Sequence, residues 1–188
     1  FGATLSCNGD VTVDQSSVHY LYSGFTSKWK PYSSTTTPPT EPGRYVVAEC
    51  GVLLGSVNAT KTNGDRRYAG TDLGFNVLVR PAMYDSFHDV EVYRQGAQGP
   101  DTETVEQSVV GNICESGDIL AKNRQLPLLH EGDVLGVLDA GAYGFVMSSS
   151  YNQRCRAAEI LIQADGSVRL IRRRETLEDL AACYEGLL

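Results

Sequence analysis

The sequence predicts an all-β fold closed by a short C-terminal helix. Three observations lead there. Apolar segments of strand length recur from Tyr45 onward, glycines and Asn/Asp-Gly pairs punctuate them, and no helical pattern reaches the ten or more residues that βαβ alternation requires.

The predicted strand segments occupy residues 45–60, 76–79, 89–93, 108–113, 133–141, 158–163 and 167–174. Asn63-Gly64-Asp65 and Ala164-Asp165-Gly166 fall between apolar runs, and the second group marks a hairpin. A short helical piece is expected around Pro81–Ser86. Thr176 is placed to cap a last helix with Leu177, Leu180, Ala181 and Tyr184 at helical spacing and Glu178 and Asp179 in its first turn. Ahead of these elements, residues 1–25 alternate at Val11 and Val13 and carry an apolar run over 18–22, enough for one or two strands. Residues 26–40 are rich in Ser, Thr and Pro and read as an extended linker, which leaves 41–188 as the main domain. No internal repeat is found.

Composition narrows the function. The chain has 188 residues, 41% hydrophobic, enough for one globular domain. A formal charge of −7 argues against nucleic-acid and anionic-membrane partners, which need a basic footprint. No apolar run approaches the roughly 20 residues of a membrane span, and no signal-peptide layout opens the chain, so a cytoplasmic location is expected. Five widely spaced cysteines without a CxxC pair predict free thiols and no metal site, and most of them are expected to be small buried hydrophobes.

Five motifs stand in order: Glu41-Pro42-Gly43-Arg44, Gly74-Phe75-Asn76 with Arg80-Pro81-Ala82-Met83-Tyr84, Cys114-Glu115-Ser116-Gly117-Asp118, Gly141-Ala142-Tyr143-Gly144, and Met147-Ser148-Ser149 with Tyr151-Asn152 and Arg154. Singly, each has an ordinary reading: a surface turn, an ion pair, a half-buried aromatic. Together their order and spacing resemble the second half of the diaminopimelate decarboxylases, in the alanine-racemase-like (fold type III) family of pyridoxal-phosphate enzymes. The resemblance runs over 41–188 and includes the closing segment 170–176.

The resemblance implies an antiparallel β-barrel or sandwich that packs against a cofactor-binding (β/α)8 barrel, with residues 1–25 supplying its first strand. It implies pyridoxal 5'-phosphate as cofactor and meso-diaminopimelate as substrate, decarboxylated to L-lysine. Cys114 would be the proton donor. Glu115 would meet the distal ammonium of the substrate, and Arg80 and Tyr84 its distal carboxylate. Tyr143 and Arg44 would touch substrate and cofactor, and Glu41 and Gly43 would lie on the cofactor side. Gly141 and Gly144 would leave room for close approach.

A complete member has a barrel of roughly 250 residues, which 188 residues do not contain. Lys28, Lys30, Lys61 and Lys122 match no cofactor-lysine context, so the chain is expected not to bind the cofactor covalently and to be inactive alone. Partners implied by the resemblance are a second copy in a homodimer and a barrel domain or complete decarboxylase chain. The other reading is a non-catalytic dimerising or binding module, or a barrel-deleted scaffold. His19, His88 and His130 match no motif and are expected at the surface or half-buried. Arg172–Arg174 read as a solvated or interface stripe.

Overall fold

The computed structural model describes residues 4–5, 11–12, 19–23, 43–94, 103–184 and 186. The linker expected at 26–40 and Glu41 lie outside these residues.

Eleven strands, three five-residue α-helices and three three-residue 3-10 turns form the described fold. Strands β1 (Thr4–Leu5) and β2 (Val11–Thr12) pair antiparallel in a small sheet of their own. The main sheet runs β11 (Val168–Arg172), β10 (Ala158–Ile162), β3 (His19–Ser23), β4 (Gly51–Asn63), β5 (Arg66–Thr71), β7 (Thr104–Val110) and β8 (Ile119–Pro127). Strand β9 (Val134–Val137) pairs with β4 and with β6 (Val90–Tyr93) off that path. Pairing is antiparallel except for β3 with β10 and β5 with β7. The all-β expectation holds.

Strand β4 joins the two halves. Its first half pairs with β3 and β9, and its second half pairs with β5 across an irregularity between Val57 and Ala59. A strand buried on both faces loses strict alternation, and here Leu53 and Leu54 are both buried. Leu53 packs into the main core with Leu73, Leu78, Val109, Leu120, Leu135 and Val137, while Leu54 meets Ile160 in a smaller cluster. Beyond Val57 the burial of β4 stops, and its last six residues are exposed.

Local chemistry explains several elements. Asn63 pairs with Arg66 across a two-residue loop in which Gly64 takes φ 59°, a first central position that favours glycine. The loop joining β10 and β11 carries Gly166 at φ 81° and Asp165 Oδ1 accepting the Ser167 N–H at 2.8 Å. Helix α2 (Arg80–Tyr84) has Pro81 in its first turn and stops at Asp85, φ 51°. Helix α3 (Leu177–Ala181) has the expected Thr176 cap, completed by the Asp179 carboxylate accepting the Thr176 N–H at 2.8 Å.

One predicted strand starts later than expected and another is not a strand. Residues 45–50 fold into helix α1 (Gly43–Val47) and a following 3-10 turn at Ala48–Cys50, so extended structure begins at Gly51. Residues 76–79 form a turn in which the N–H groups of Val77 and Leu78 both donate to the Gly74 carbonyl. That run is apolar because Val77 and Leu78 are buried, not because it is extended. Conversely, β5 and β8 carry polar sequences, with the KNRQ stretch at 122–125 resembling a turn, and were not predicted.

Candidate functional site

The first group of candidate residues is assembled by backbone packing. The Gly141 N–H donates to the Ala48 carbonyl at 3.0 Å and the Ala140 N–H to that of Gly51 at 2.8 Å. These bonds seat the 138–144 loop on the end of α1. A Cβ at Gly141 would stand 2.0 Å from the Val47 carbonyl oxygen. Gly141 therefore makes room for close backbone approach, here of the protein's own chain. Two residues on, Tyr143 turns outward with φ 58° and is 45% exposed.

Below Tyr143 lies Arg80. It heads α2, is only 7% exposed, and its Cζ is 5.7 Å from the centre of the Tyr143 ring, within cation–π range. Its Nη2 donates to Ser86 Oγ at 3.1 Å. Burial, and then the positive charge of Arg44, lower the Arg80 pKa, while Tyr84 and Tyr143 act in the opposite direction. Four expected residues thus share one electrostatic neighbourhood: Arg44, Arg80, Tyr84 and Tyr143. Arg44 and Tyr84 are exposed there. Gly43 is the first residue of α1.

Cys114 and Glu115 form a second group, on the 111–118 loop between β7 and β8. Its keystone is the buried Asp118, whose Oδ1 accepts the Phe75 N–H at 2.7 Å and whose Oδ2 accepts the Ile113 N–H at 2.7 Å. The Gly111 N–H returns to the Asp118 carbonyl at 2.9 Å, and a Cβ at Gly111 would meet the carboxylate at 2.2 Å. Desolvation raises the Asp118 pKa against the lowering effect of these N–H donors. Cys114 and Glu115 are both exposed. The Asn152 amide donates to Cys114 Sγ at 3.3 Å, and Glu115 Oε1 accepts from Ser116 Oγ at 3.5 Å. Among the described residues, neither Cys114 nor Glu115 is bonded to Arg80, Tyr84 or Tyr143. An open groove of about 370 Å³ runs between Pro81, Ala82 and Asp85 of the one segment and Gly117 and Lys122 of the other, and none of these candidate residues lines it.

Three expectations require correction. His88 is neither exposed nor half-buried: it has no accessible surface, and its Nδ1 lies 2.8 Å from the Leu138 carbonyl oxygen. The four described cysteines, Cys50, Cys114, Cys155 and Cys183, are free thiols, but none is fully buried. Of the stripe expected at Arg172–Arg174, Arg173 is exposed but Arg172 and Arg174 are half-buried, and Arg172 and Arg173 hold Glu175 and Asp179. Sequence reasoning quoted Asn152 within a motif without giving it a role and missed Ser86, whose hydroxyl carries no recognisable signal. Among the described residues no cluster of three or more His, Cys, Asp or Glu side chains is placed to hold a metal, and no helix is long and apolar enough to cross a membrane.

A β-sheet domain with these groups at its loops has a clear class. The family model for the pyridoxal-dependent decarboxylase C-terminal sheet domain matches residues 20–141, and the chain belongs to that family. Within it, the chain is similar to diaminopimelate decarboxylases. That of Methanothermobacter thermautotrophicus is 50% identical over 140 residues, covering 74% of this chain and 32% of the relative. A crystal structure of diaminopimelate decarboxylase superposes with a TM-score of 0.71 at 42% identity, over 74% of this chain and 35% of the other. The M. jannaschii enzyme in complex with L-lysine gives 0.69 at 39% identity, over 76% and 31%. The chain spans about a third of the length of the curated relatives it matches.

Proposed function

We propose that this chain is the substrate-reading and proton-donating part of a cytoplasmic, pyridoxal-phosphate-dependent diaminopimelate decarboxylase that converts meso-diaminopimelate to L-lysine and CO2. The observation that carries the reading is the buried Arg80 under the exposed Tyr143, with Arg44 and Tyr84 in the same neighbourhood. A guanidinium taken out of water beneath one phenol ring, with a second phenol in its electrostatic neighbourhood, is suited to a carboxylate, which it grips with two parallel N–H donors. Diaminopimelate has a distal carboxylate for it; ornithine and lysine have none.

The donor set also fits the cofactor. Arg44 and the Tyr143 hydroxyl offer an exposed cation and a donor to a phosphate-bearing ring, with Gly43 and Glu41 on the same stretch. Pyridoxal phosphate, when bound, supplies an electron sink for the pair left by departing CO2. Everything else falls to side chains. Arg80 and Tyr84 fix the distal carboxylate, Glu115 pairs with the distal ammonium, and Cys114 delivers the proton to the reacting carbon. Because Cys114 and Glu115 lie in a separate group, this reading has the 111–118 loop of one protomer reach into the pocket of its partner in a homodimer. A barrel on the same or another polypeptide holds the cofactor covalently, and the chain alone does not decarboxylate.

The test is CO2 release by this chain assembled with its cofactor-binding barrel. Meso-diaminopimelate is expected to react and ornithine not. Cys114→Ala should lower kcat by about 100-fold, and Arg80→Met should raise KM by at least about tenfold. Equal kcat/KM for ornithine and meso-diaminopimelate would overturn the reading.

A further inference from the structure

We propose that His88 is a positioning residue for Arg80: its Nε2 accepts the Arg80 Nε–H, after a small side-chain shift or across one bridging water, and so decides which edge of the guanidinium faces the substrate. The inference rests on the reading of Arg80 as the holder of a distal carboxylate.

The argument starts from two orphaned atoms. Among the described residues, Arg80 Nε and His88 Nε2 are buried and have no hydrogen-bond partner; Asn112 Oδ1 is the third such side-chain atom. Buried polar atoms are seldom left unpaired, since each costs about 1–3 kcal/mol. Here the chemistry of the two is complementary. The Leu138 carbonyl can only accept, so the hydrogen of a neutral His88 ring sits on Nδ1 and Nε2 is left with a lone pair. Arg80 Nε can only donate.

Their placement supports the pairing. The chain turns at Asp85, and the Ser86 N–H returns to the Arg80 carbonyl at 3.4 Å, which brings the backbone two residues before His88 back to Arg80. Ser86 Oγ already takes Nη2 of the guanidinium. The charges of Arg80 and Arg44 both disfavour protonation of His88, after the larger effect of burial, with the Leu138 carbonyl and Asp139 opposing. The ring is thus held neutral, in the state that accepts.

The geometric consequence concerns specificity. Nε–H and one Nη2–H leave a guanidinium along the same side edge. If Ser86 and His88 occupy that edge, the end edge, formed by Nη1 and Nη2, remains for a two-pronged grip on a carboxylate.

Two measurements test this. In the full chain with 15N-labelled histidine, the Nε2 resonance of His88 is expected to be unprotonated and displaced in the direction of a hydrogen-bonded acceptor, and Arg80→Met is expected to return it toward the free value. A protonated Nε2, or a resonance indifferent to Arg80→Met, would overturn the proposal. In the assembled enzyme, His88→Asn keeps a donor for Leu138 but removes the acceptor, whereas His88→Gln places an amide oxygen near Nε2. Asparagine is expected to raise KM for meso-diaminopimelate about tenfold with kcat held within about twofold, and glutamine to restore KM. A wild-type KM in His88→Asn would sink the idea. The two readings fail separately: pairing seen by resonance in an enzyme that ignores meso-diaminopimelate removes the substrate assignment alone, and absence of pairing in an enzyme that consumes it removes the role of His88 alone.

Discussion

The side-chain amide of Asn152 donates to the sulfur of Cys114 at 3.3 Å, from a backbone held at φ 56°. That conformation is tolerated by asparagine and disfavoured for residues with an ordinary Cβ. Tyr151, the residue before it, packs edge-on against Phe75 at 4.9 Å between ring centres, and the Phe75 N–H donates to Asp118. The turn and the cysteine loop are thereby locked to each other. Asn152→Gly removes the sulfur contact without backbone cost, whereas Asn152→Ala removes it and adds about 1 kcal/mol of strain. Both variants are expected to lower kcat of the assembled enzyme by about three- to tenfold, with only the alanine variant clearly less stable in urea.

Gly141→Ala should be among the most damaging small changes. Its Cβ would meet the Val47 carbonyl, and backbone cannot swing aside as a flexible side chain can. A loss of about 3 kcal/mol is expected from chemical denaturation, at the upper end for overpacking. The seat of Tyr143 should be displaced with it.

Removing the keystone of the cysteine loop should loosen it selectively. Asp118→Ala strands the N–H groups of Phe75 and Ile113. A cost of about 3 kcal/mol is expected, with amide hydrogen exchange at those two positions accelerated more than in the core strands.

Acid stability should depend on Glu175. Its carboxylate accepts from Arg156 Nε at 2.6 Å, the Arg156 backbone N–H at 2.9 Å and Arg172 Nη2 at 2.9 Å, and the Arg156 bonds lead in pulling its pKa down to about 2. A carboxylate depressed on folding adds stability that is complete above its unfolded value, 4.5, and disappears as pH falls through its folded one. Wild-type stability attributable to this group should therefore decay between about pH 4.5 and 2. Glu175→Gln should be less stable at pH 7 and lose less across that window, as followed by urea midpoints.

Elements made by neighbouring residues were legible from sequence. Thr176 and Asp179 cap a helix within four residues, Asp165 and Gly166 turn the hairpin of β10 and β11, and Pro81 opens α2. Elements made by distant partners were not. β5 has a polar sequence, and although the hairpin with β4 starts it, its other edge is filled by parallel pairing with β7, some 40 residues on. Residues 76–79 are apolar for burial in a turn, a pattern that periodicity cannot separate from a buried strand.

The same division runs through the site. The sequence by itself determined the family, through five ordered motifs, the all-β class, and the residue types available for a doubly charged substrate. Only the tertiary structure decided which of those residues meet. Arg44, Arg80 and Tyr143 come from three separated segments, brought together where Gly141 lets the 138–144 loop rest on α1. Burial then changes their chemistry: His88, unremarkable in sequence, has no accessible surface, and desolvation lowers its pKa so that the neutral ring is favoured.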